Sequence, residues 1–378
     1  SQAPPVRNLG LRGLKFRDAA LSYLDAHAMP SGGDWGLGRI ASVFLYGTEG
    51  SMIDSCTFEK IDGNAILVNG YARGTVIQNN DFHEIGDNII AQLGETEGAG
   101  SVAWGMGPDG TAGNQPRGTV VRQNVAYRCG LFEKQSSFYF QAKSCDNVLQ
   151  RNIFFHGPRA GVNFNDGFGG GNLLEGNLLF STVMESGDHG PFNSWDRQVY
   201  AHEKNPDGSL NVQKKYDEIR FNFIIGNYYG QEAIDNDDGS AFYETHHNFF
   251  AYGNIGMKND YNGHDNHHHD NIYGYISQGL GICGALPGHA DKFYNNRVIQ
   301  LTGKAYATYD CNCNATSSCP EMHDNTIFTG DAKMDDVCGQ TMAQRAAEGI
   351  DVGSQVVSWP TDEDVISWAR EVLDLPAQ

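Results

Sequence analysis

The feature that most constrains this chain is a repeated segment in which a short β-prone stretch ends in an asparagine followed by apolar residues. Examples are VIQNNDF, VVRQNVAY, VLQRNIFF and LLEGNLLF. Most steps between the repeated asparagines are 23–29 residues. Such a period indicates stacked units, because one unit alone cannot bury its apolar face. The repeated residues are Asn80, Asn124, Asn152, Asn177, Asn222, Asn248, Asn271, Asn296 and Asn325.

Units of this length, made of short strands and Gly/Asn turns, predict an all-β fold: a right-handed, single-stranded parallel β-helix. The 47 glycines among 378 residues favour tight turns over long helices. Coils stacked about 4.8 Å apart pair their backbones and make one continuous core. An asparagine repeated at one turn can form a ladder of side-chain amides that satisfies the polar atoms of the bend. Sandwiches and propellers would instead show hairpin pairs and longer periods.

We expect the β-helix domain to span residues 1–339. Two long steps in the repeat mark insertions near 94–118 and 186–216, which should leave at turns and stand over one face, where ligands usually bind. Residues 340–378 contain the helical patterns TMAQRAAEG and TDEDVISWAREVLDL, the second with Thr361 as N-cap. This segment is predicted to be a helical cap or tail on the last coil.

The charge and the cysteines restrict the class of protein. A formal net charge of -20 argues against nucleic acid or an anionic membrane as a partner, and no apolar run is long enough to cross a membrane. Asn314 lies in a glycosylation sequon, NAT. Beside clustered cysteines, this motif favours a secreted, extracellular glycoprotein.

The chain has eight cysteines, without a CxxC pair or zinc-finger spacing, so disulfides are favoured over zinc. Cys129 and Cys145 should lie on neighbouring coils, and four others crowd near the end. We expect at least two bridges, one or more inside 283–338. Cys56 takes the asparagine place of an earlier repeat and is expected to be buried and free. The others are Cys283, Cys311, Cys313, Cys319 and Cys338.

Polar residues collect around the second insertion. In the predicted strand GVNFND, alternation sends the side chains of Asn163 and Asn165 to one face and places Asp166 at the following turn. The insertion then brings an acid, an imidazole, an indole and a guanidinium to the same face, and IDNDDGS adds further acids at a similar turn. These later residues are Asp188, His189, Trp195, Asp196, Arg197, Asp235, Asp237 and Asp238.

Paired carboxylates suit glycosidic chemistry, in which one protonates the leaving oxygen and the other activates water or attacks. We predict Asp196 and Asp237 as this pair, with Asp166, Asp188 and His189 in support. Asp–Gly and Asn–Asp pairs are also ordinary turn formers, but turns do not need Trp, His and Arg as well. The predicted substrate-binding residues are Arg159, Asn165, Trp195, Arg197, Asp238 and Lys134.

Two alternatives use other residues. Lys134 and Arg159 are 25 residues apart, one coil, and could serve as the base and acid of a polysaccharide lyase. Histidines cluster in THHNFF and HDNHHHDN, where His267 and His269 have a spacing compatible with metal binding. Such histidines are more often surface members of a ladder, and no metal or cofactor is predicted.

The segments GPRAGVNFNDGFGGGNLLEGN, GDHGPFNSWDRQ, IDNDDGSAFYETHHNFF and GHDNHHHDNIY resemble those of secreted right-handed β-helix proteins of the pectate-lyase-like kind. Among enzymes they are similar to family 141 of the glycoside hydrolases. The resemblance implies the fold, and a fucosidase or xylanase type of activity. The acids that match best are Asp196 and either Asp237 or Asp238.

The sequence therefore predicts a secreted glycoside hydrolase acting on a cell-wall or extracellular polysaccharide. The alternatives are the lyase and a non-catalytic structural or glycan-binding matrix protein. The stretch VRNLGLRGLKF already alternates like a coil strand close to the first residue. Because bare strand edges recruit other chains and repeat stacks need caps, we expect a second polypeptide, an upstream fragment or another subunit, to cover this end.

Overall fold

The computed structural model describes residues 4–19, 27–28, 37–94, 114–165, 170–195, 201–204, 210–212, 215–226, 230–284, 286–309 and 319–376, with backbone only at 27–28, 201–204 and 210–212. These residues form a right-handed parallel β-helix, so the predicted fold class is confirmed.

The strands are short, and all but two pairings are parallel. In chain order they are β1 (Val6–Arg7), β2 (Gly10–Arg12), β3 (Lys15–Ala19), β4 (His27–Ala28), β5 (Leu37–Gly38), β6 (Ala41–Leu45), β7 (Thr48–Glu49), β8 (Met52–Asp54), β9 (Thr57–Ile61), β10 (Asn64–Asn69), β11 (Ala72–Arg73), β12 (Val76–Gln78), β13 (Asp81–Ile85), β14 (Ile90–Leu93), β15 (Pro116–Arg117), β16 (Val120–Arg122), β17 (Val125–Tyr127), β18 (Tyr139–Ala142), β19 (Val148–Gln150), β20 (Ile153–Phe155), β21 (Val162–Asn165), β22 (Leu173–Glu175), β23 (Leu178–Phe180), β24 (Phe192–Trp195), β25 (Ala201–Lys204), β26 (Leu210–Val212), β27 (Asp217–Arg220), β28 (Phe223–Ile225), β29 (Glu232–Asp237), β30 (Tyr243–His246), β31 (Phe249–Asp260), β32 (His267–His269), β33 (Ile272–Cys283), β34 (Lys292–Tyr294), β35 (Arg297–Gln300), β36 (Ala307–Thr308), β37 (Glu321–His323), β38 (Thr326–Thr329) and β39 (Gln355–Ser358).

Equivalent strands of successive coils stack into long rows. One sheet contains eleven strands, from β2 and β8 to β34 and β37. The largest sheet combines two rows, one through β9, β13, β17 and β20 and the other through β10, β14, β18, β21, β24 and β29. In the later coils both rows are parts of one strand, because β31 and β33 each have 12 residues. A four-stranded sheet completes the first coils.

The repeated asparagines form the predicted ladder at the corner between the eleven-stranded sheet and the largest sheet. Asn177 is typical: its Oδ1 accepts from the backbone N–H and Nδ2 of Asn152, each at 2.9 Å. Its Nδ2 donates to Asn222 Oδ1 at 2.9 Å and to the carbonyl of Leu149. The ladder starts at the N–H of Cys56 and ends at Ser354, so every rung satisfies its neighbours.

Immediately before each asparagine of the ladder, the chain bends at a residue whose backbone φ lies in the left-handed region. Non-glycine examples are Asn79, Gln123, Arg151 and Phe221, with φ between 54° and 56°. Such residues are strained, and the buried hydrogen bonds of the following asparagine stabilise the bend.

Inside the coils, apolar side chains stack from coil to coil. Phe16, Phe58 and Phe82 have ring centroids 4.7 and 4.8 Å apart, and one cluster of buried residues runs from Val43 to Val337. A second ladder of amides lies at another corner. There Asn172 donates from its N–H and its Nδ2 to the buried carboxyl of Asp217, both at 2.8 Å.

The C-terminal segment contains two helices, α1 (Met342–Ala347) and α2 (Asp362–Val372), which confirms the predicted helical patterns. Thr361 is the N-cap of α2, as predicted, and its hydroxyl accepts from the N–H of Asp364. Between the helices, β39 adds a strand to the stack beside β38. Helix α2 packs along the side of the largest sheet, where Trp368 contacts Phe328. No helix of the described residues is long and apolar enough to cross a membrane.

The cysteines correct part of the disulfide prediction. Cys129 and Cys145 are both buried and free. They lie in different environments: Cys129 packs in the main core, while Cys145 lies beside the side-chain amide of Gln115. Cys56 is buried and free, as expected, and Cys283 is free. Cys319 and Cys338 are disulfide-bonded, whereas 311 and 313 lie outside the described residues, so the number of bridges stays a prediction.

The first coil is open to solvent on its outer side. Val6, Leu9 and Leu14 are 57%, 39% and 45% exposed, while Phe16 is half-buried against the core. The expected second polypeptide at this end stays a prediction.

Candidate functional site

Two neighbouring columns of outward-facing side chains cross the largest sheet and become more polar along the stack. In the first, Asn163 pairs in register with Asn193, Asp235 and Lys258. In the second, Asn165 pairs with Trp195 and Asp237, and the parallel register of β29 and β31 places Asp260 beside Asp237. We call the eight residues of these two columns together the polar column. Alternation along each strand sends Phe164 and other apolar residues inward, as the sequence predicted.

Tight turns hold the acids at the ends of their strands. Asp237 ends β29, and the N–H of Ser240 donates back to its carbonyl at 3.0 Å, with Gly239 at φ 80°. Asp260 ends β31 in the same way before Gly263. A side chain at Gly263 would lie 1.7 Å from the amide oxygen of Asn259, so this turn requires glycine. Both carboxyl groups therefore stand at one edge of the sheet.

Lys258 supplies the central positive charge. Its ammonium lies 2.8 Å from Asp237, 3.1 Å from Asp235 and 3.2 Å from Asp260. Burial opposes this charge, but the three carboxyl groups together raise the pKa of Lys258. The lysine is therefore ionised and stabilises the acids around it.

Asp260 is held as a proton donor. The backbone N–H of Asp238 donates to its Oδ1 at 2.9 Å. Burial raises the pKa of Asp260 to about 7, with Lys258 opposing the shift and Asp237 adding to it through a hydrogen bond. One oxygen each of Asp237, Asp238 and Asp260 lie within 4.8 Å of one another. The side chains of Asp237 and Asp260 are 15% and 13% exposed, so a ligand can reach them.

Glu232 is a second protonated acid. The residue is buried, and burial raises its pKa to about 9, with the charge of Asp235 contributing. A neutral carboxylic acid can donate a hydrogen bond at neutral pH.

A buried chain of polar groups leads into the acids. Arg159 contacts Nε2 of His189, and Nδ1 of His189 lies 3.2 Å from Asp235. Because the guanidinium is a donor, Nε2 accepts and Nδ1 carries the proton that Asp235 receives. Arg159, His189 and Asp235 are all buried. Asp188 lies at the exposed margin, 3.5 Å from His189.

Trp195 and Asn165 lie side by side in the polar column but differ in their contacts. The indole N–H of Trp195 donates to Asp238 at 3.0 Å, and its ring is 6% exposed within an apolar cluster. The ring is thus packed, not presented as an open platform for a sugar. Asn165 is 1% exposed, and among the described residues neither its amide oxygen nor its amide nitrogen has a hydrogen-bond partner.

The structure brings together most of the predicted site residues that it describes: Arg159, Asn165, Asp188, His189, Trp195, Asp237 and Asp238. Asp166, Asp196 and Arg197 lie outside the described residues, as does the predicted glycosylation site Asn314. Lys134 has a different environment from Arg159, because its exposed ammonium pairs with Glu185 at 2.9 Å.

Sequence reasoning missed Lys258 and Asp260, although the repeat contained the signal. Asp237 lies eleven residues before Asn248, and Asp260 lies eleven before Asn271. Equal offsets from successive rungs of one ladder place residues directly above one another. Glu232 had no comparable signal, since its burial depends on packing around it.

The predicted histidine pair serves the fold. His267 and His269 both bond to Glu244, at 2.9 and 2.7 Å. Burial opposes ionisation of Glu244, but these hydrogen bonds lower its pKa to about 2. In the acidic site, Asp237 groups with His189 and Asp235, or with Asp238 and Asp260, at metal-ligand distances. The ammonium of Lys258 already provides the positive charge there.

A profile of the right-handed β-helix region matches residues 41–197. No curated protein sequence matches the chain. One similar solved structure is described as a glycoside hydrolase: it is 13% identical with a TM-score of 0.49, and the match covers 63% of this chain and 39% of that one. Another, a complex of XylC with xylose, is 11% identical with a TM-score of 0.46 and coverages of 91% and 52%. The chain thus spans about two fifths and one half of their lengths, and such distant likenesses carry no information on activity.

Proposed function

We propose that this protein is a carbohydrate-active enzyme that hydrolyses glycosidic bonds, with Asp237 and Asp260 as its carboxyl pair. The observation that carries the proposal is the pairing of two reachable acids on neighbouring coils, of which Asp260 has a pKa raised to about 7. Glycosidic cleavage needs one carboxyl group that gives a proton and a second that attacks or activates water, and a raised pKa suits the first role.

The separation of the two groups favours a retaining reaction. Their nearest oxygens lie within 4.8 Å and share a hydrogen bond, so they are too close for the roughly 6.5–9.5 Å that leaves room for an attacking water, and they need to part only to the roughly 5–5.5 Å of retaining enzymes when a sugar binds. In the first step, Asp260 gives its proton to the leaving oxygen while the Asp237 carboxylate attacks the anomeric carbon. In the second step, Asp260 takes a proton from water, which displaces Asp237 and restores both acids.

The surrounding residues fit supporting roles. Lys258, 2.8 Å from Asp237, holds this carboxyl group in place for attack. Glu232 and Asn165 offer hydrogen-bonding atoms for sugar hydroxyls. In this proposal, Asp260 is the partner of Asp237, and the predicted pairing of Asp196 with Asp237 stays a prediction because residue 196 lies outside the described residues.

The substrate we propose is a polysaccharide outside the cell. The bonded state of Cys319 and Cys338 and the sequon at Asn314 support secretion. The resemblance to glycoside hydrolase family 141 supports a plant- or algal-type wall glycan that contains fucose or xylose.

The test is digestion of a glycan panel by the wild type and by Asp237→Asn and Asp260→Asn. We expect released reducing sugars from the wild type, product of retained anomeric configuration by NMR, and almost none from either variant. Lys134→Ala is the matched control and should keep full activity. Products that absorb in the ultraviolet, with loss in Lys134→Ala, would establish the lyase instead. Binding without turnover would establish a glycan-binding protein.

A further inference from the structure

The tripeptide His-Asp-Asn occurs three times at corners of the β-helix, each time with the same contact between the histidine and the aspartate. The histidine Nδ1 lies 2.8 Å from the following aspartate in His264–Asp265 and in His323–Asp324, and 2.7 Å in His269–Asp270. Each aspartate is in the left-handed region, with φ between 53° and 55°. His269–Asp270 and His323–Asp324 precede rungs of the asparagine ladder, whereas His264–Asp265 precedes Asn266, which bonds to Asp291 in the second ladder.

One of the three corners has a second imidazole. His289, from the turn of the next coil, places its Nδ1 2.9 Å from the same Asp265 oxygen that His264 contacts. The two rings are 4.9 Å apart between centroids. One ligand atom each of His264, Asp265 and His289 lie within 4.8 Å of one another. At the other corners, His269 also bonds to Glu244 through Nε2, and His323 stacks on Tyr294.

We propose that His264, Asp265 and His289 form a binding site for a divalent transition metal ion such as Zn²⁺. Two imidazole nitrogens and one carboxylate oxygen, with a fourth position for water, are a common zinc ligand set. Ligand atoms about 2.0–2.1 Å from a tetrahedral ion are about 3.4 Å apart. The nitrogens, now 2.8 and 2.9 Å from the oxygen, need to move outward by only about 0.5 Å.

The surroundings favour a cation and allow it to enter. The side chains of His264 and Asp265 are each 21% exposed, and that of His289 is 51% exposed. A cavity of about 830 Å³ beside Asp265 is also lined by Glu321, Asp324 and Glu348. Lys292 also lines the cavity and pairs with Glu321 at 3.0 Å, so the carboxylates of Asp324 and Glu348 are the ones that favour a cation there. Imidazole ligands select Zn²⁺, Ni²⁺ or Cu²⁺ over Mg²⁺ and Ca²⁺.

A bound ion would tie the turn that carries His289 to the preceding coil. The two histidines would give up their Nδ1–H donations to Asp265 and carry the proton on Nε2 instead, so that Nδ1 can bind the metal. Because the ion binds the folded chain, it should raise the unfolding temperature in proportion to the logarithm of its concentration above the dissociation constant.

Titration of the full chain with Zn²⁺ alone, followed by calorimetry and thermal unfolding, tests the site. We expect one Zn²⁺ per chain, no comparable binding of Mg²⁺, and at least tenfold weaker Zn²⁺ binding in His289→Ala and in Asp265→Asn. Both variants should unfold like the wild type without metal, since His289 is exposed and Asn tolerates the left-handed conformation of residue 265.

His323→Ala is the matched control, because it removes a histidine with the same Nδ1–carboxylate contact, on an aspartate that no second imidazole of the described residues contacts. It should bind Zn²⁺ like the wild type. Absence of Zn²⁺ binding in the wild type would overturn the proposal, as would equal binding in His289→Ala or equal loss in His323→Ala. None of these outcomes depends on the proposed hydrolase activity.

Discussion

The asparagine ladder and the polar column both consist of polar side chains in register along one stack, but the ladder is buried throughout, the column ends in partly exposed residues, and their hydrogen bonding differs. In the ladder, each amide is used by its neighbours; Asn222, for example, donates to Asn248 and to two carbonyls and accepts from Asn177. In the polar column, neither the side chain of Asn165 nor the Oδ1 of Asn193 has a hydrogen-bond partner in the part of the chain that the structure describes, and three acids lie around Lys258.

The difference separates polar groups that stabilise the fold from those available to a ligand. A buried amide satisfied by its neighbours rigidifies the coil, whereas a buried amide without a partner costs about 1–3 kcal/mol. Such a cost persists in folded proteins mainly where function uses the group. Removing a ladder residue should therefore reduce stability, and removing a column residue should reduce activity.

The largest effect is expected for Asp237→Asn. Loss of the attacking carboxylate should reduce kcat by about 10²–10⁴, the range of a missing acid–base group, while the unfolding temperature changes little. Kinetics on the glycan cleaved by the wild type and a thermal melt check both parts. A variant that loses activity only in proportion to lost folded protein would place Asp237 with the structural residues.

Asn222→Ala should produce the opposite pattern. It removes hydrogen bonds to both neighbouring rungs and leaves the N–H of Asn177 without its 2.9 Å acceptor. We expect the free energy of unfolding to fall by about 2–4 kcal/mol, as measured by denaturant titration. The folded fraction should keep the wild-type kcat. A selective loss of kcat would show that the two rows are not separate in function.

The sequence predicted the ladder completely but the polar column only in part. The ladder repeats one residue at nearly constant spacing, so its partners follow from the period. In the polar column, each coil contributes a different residue. The spacing along the chain from Asn165 to Trp195 also differs from the spacing from Trp195 to Asp237, so no constant period links them. The contact between Arg159 and His189 and the burial of Trp195 depend on three-dimensional packing, which a pattern does not contain. Asp260 was predictable from its offset to Asn271, as argued above.

Asp217→Asn, in the second ladder, tests whether a buried charge alone distinguishes the polar column from a structural ladder. Burial raises the pKa of Asp217 to about 7 in its structural ladder. The folded state therefore holds the proton more tightly, and the stability from this group is fully present below about pH 4 and is lost as pH rises through 7. The uncharged amide should stabilise the protein by about 1–3 kcal/mol at pH 8 and by almost nothing at pH 4.

Denaturant titrations at both pH values measure this difference, with Asn177→Asp as the reverse change. Asn177→Asp should be destabilising at pH 8, because it buries a carboxylate in the other ladder. An Asp217→Asn variant that is no more stable at pH 8 would show that its neighbours already compensate the charge.

The pH dependence of the wild type tests Asp260. As the general acid, Asp260 must be protonated, and its pKa is raised to about 7. We expect kcat to fall about tenfold for each pH unit above roughly 7 to 8, and this alkaline limb should disappear in Asp260→Asn, whose residual rate is low throughout. If the fall of kcat at high pH were unchanged in Asp260→Asn, another group would supply the proton, with Glu232 as the first alternative.

The smallest expected effect, Asn165→Leu, compares the two rows most directly. Leucine has nearly the same volume, removes two buried atoms without partners, and packs beside Ala142 and Trp195, which flank position 165 in register. We expect the free energy of unfolding to rise by about 1 kcal/mol, because nothing is lost when an unsatisfied group becomes apolar. If Asn165 binds a sugar hydroxyl, kcat/KM should also fall about tenfold. Asn172→Leu, at a satisfied amide of the second ladder, should instead destabilise the fold. If both variants were destabilised equally, Asn165 would be a structural residue, and the unsatisfied amide would not mark the ligand side of the sheet.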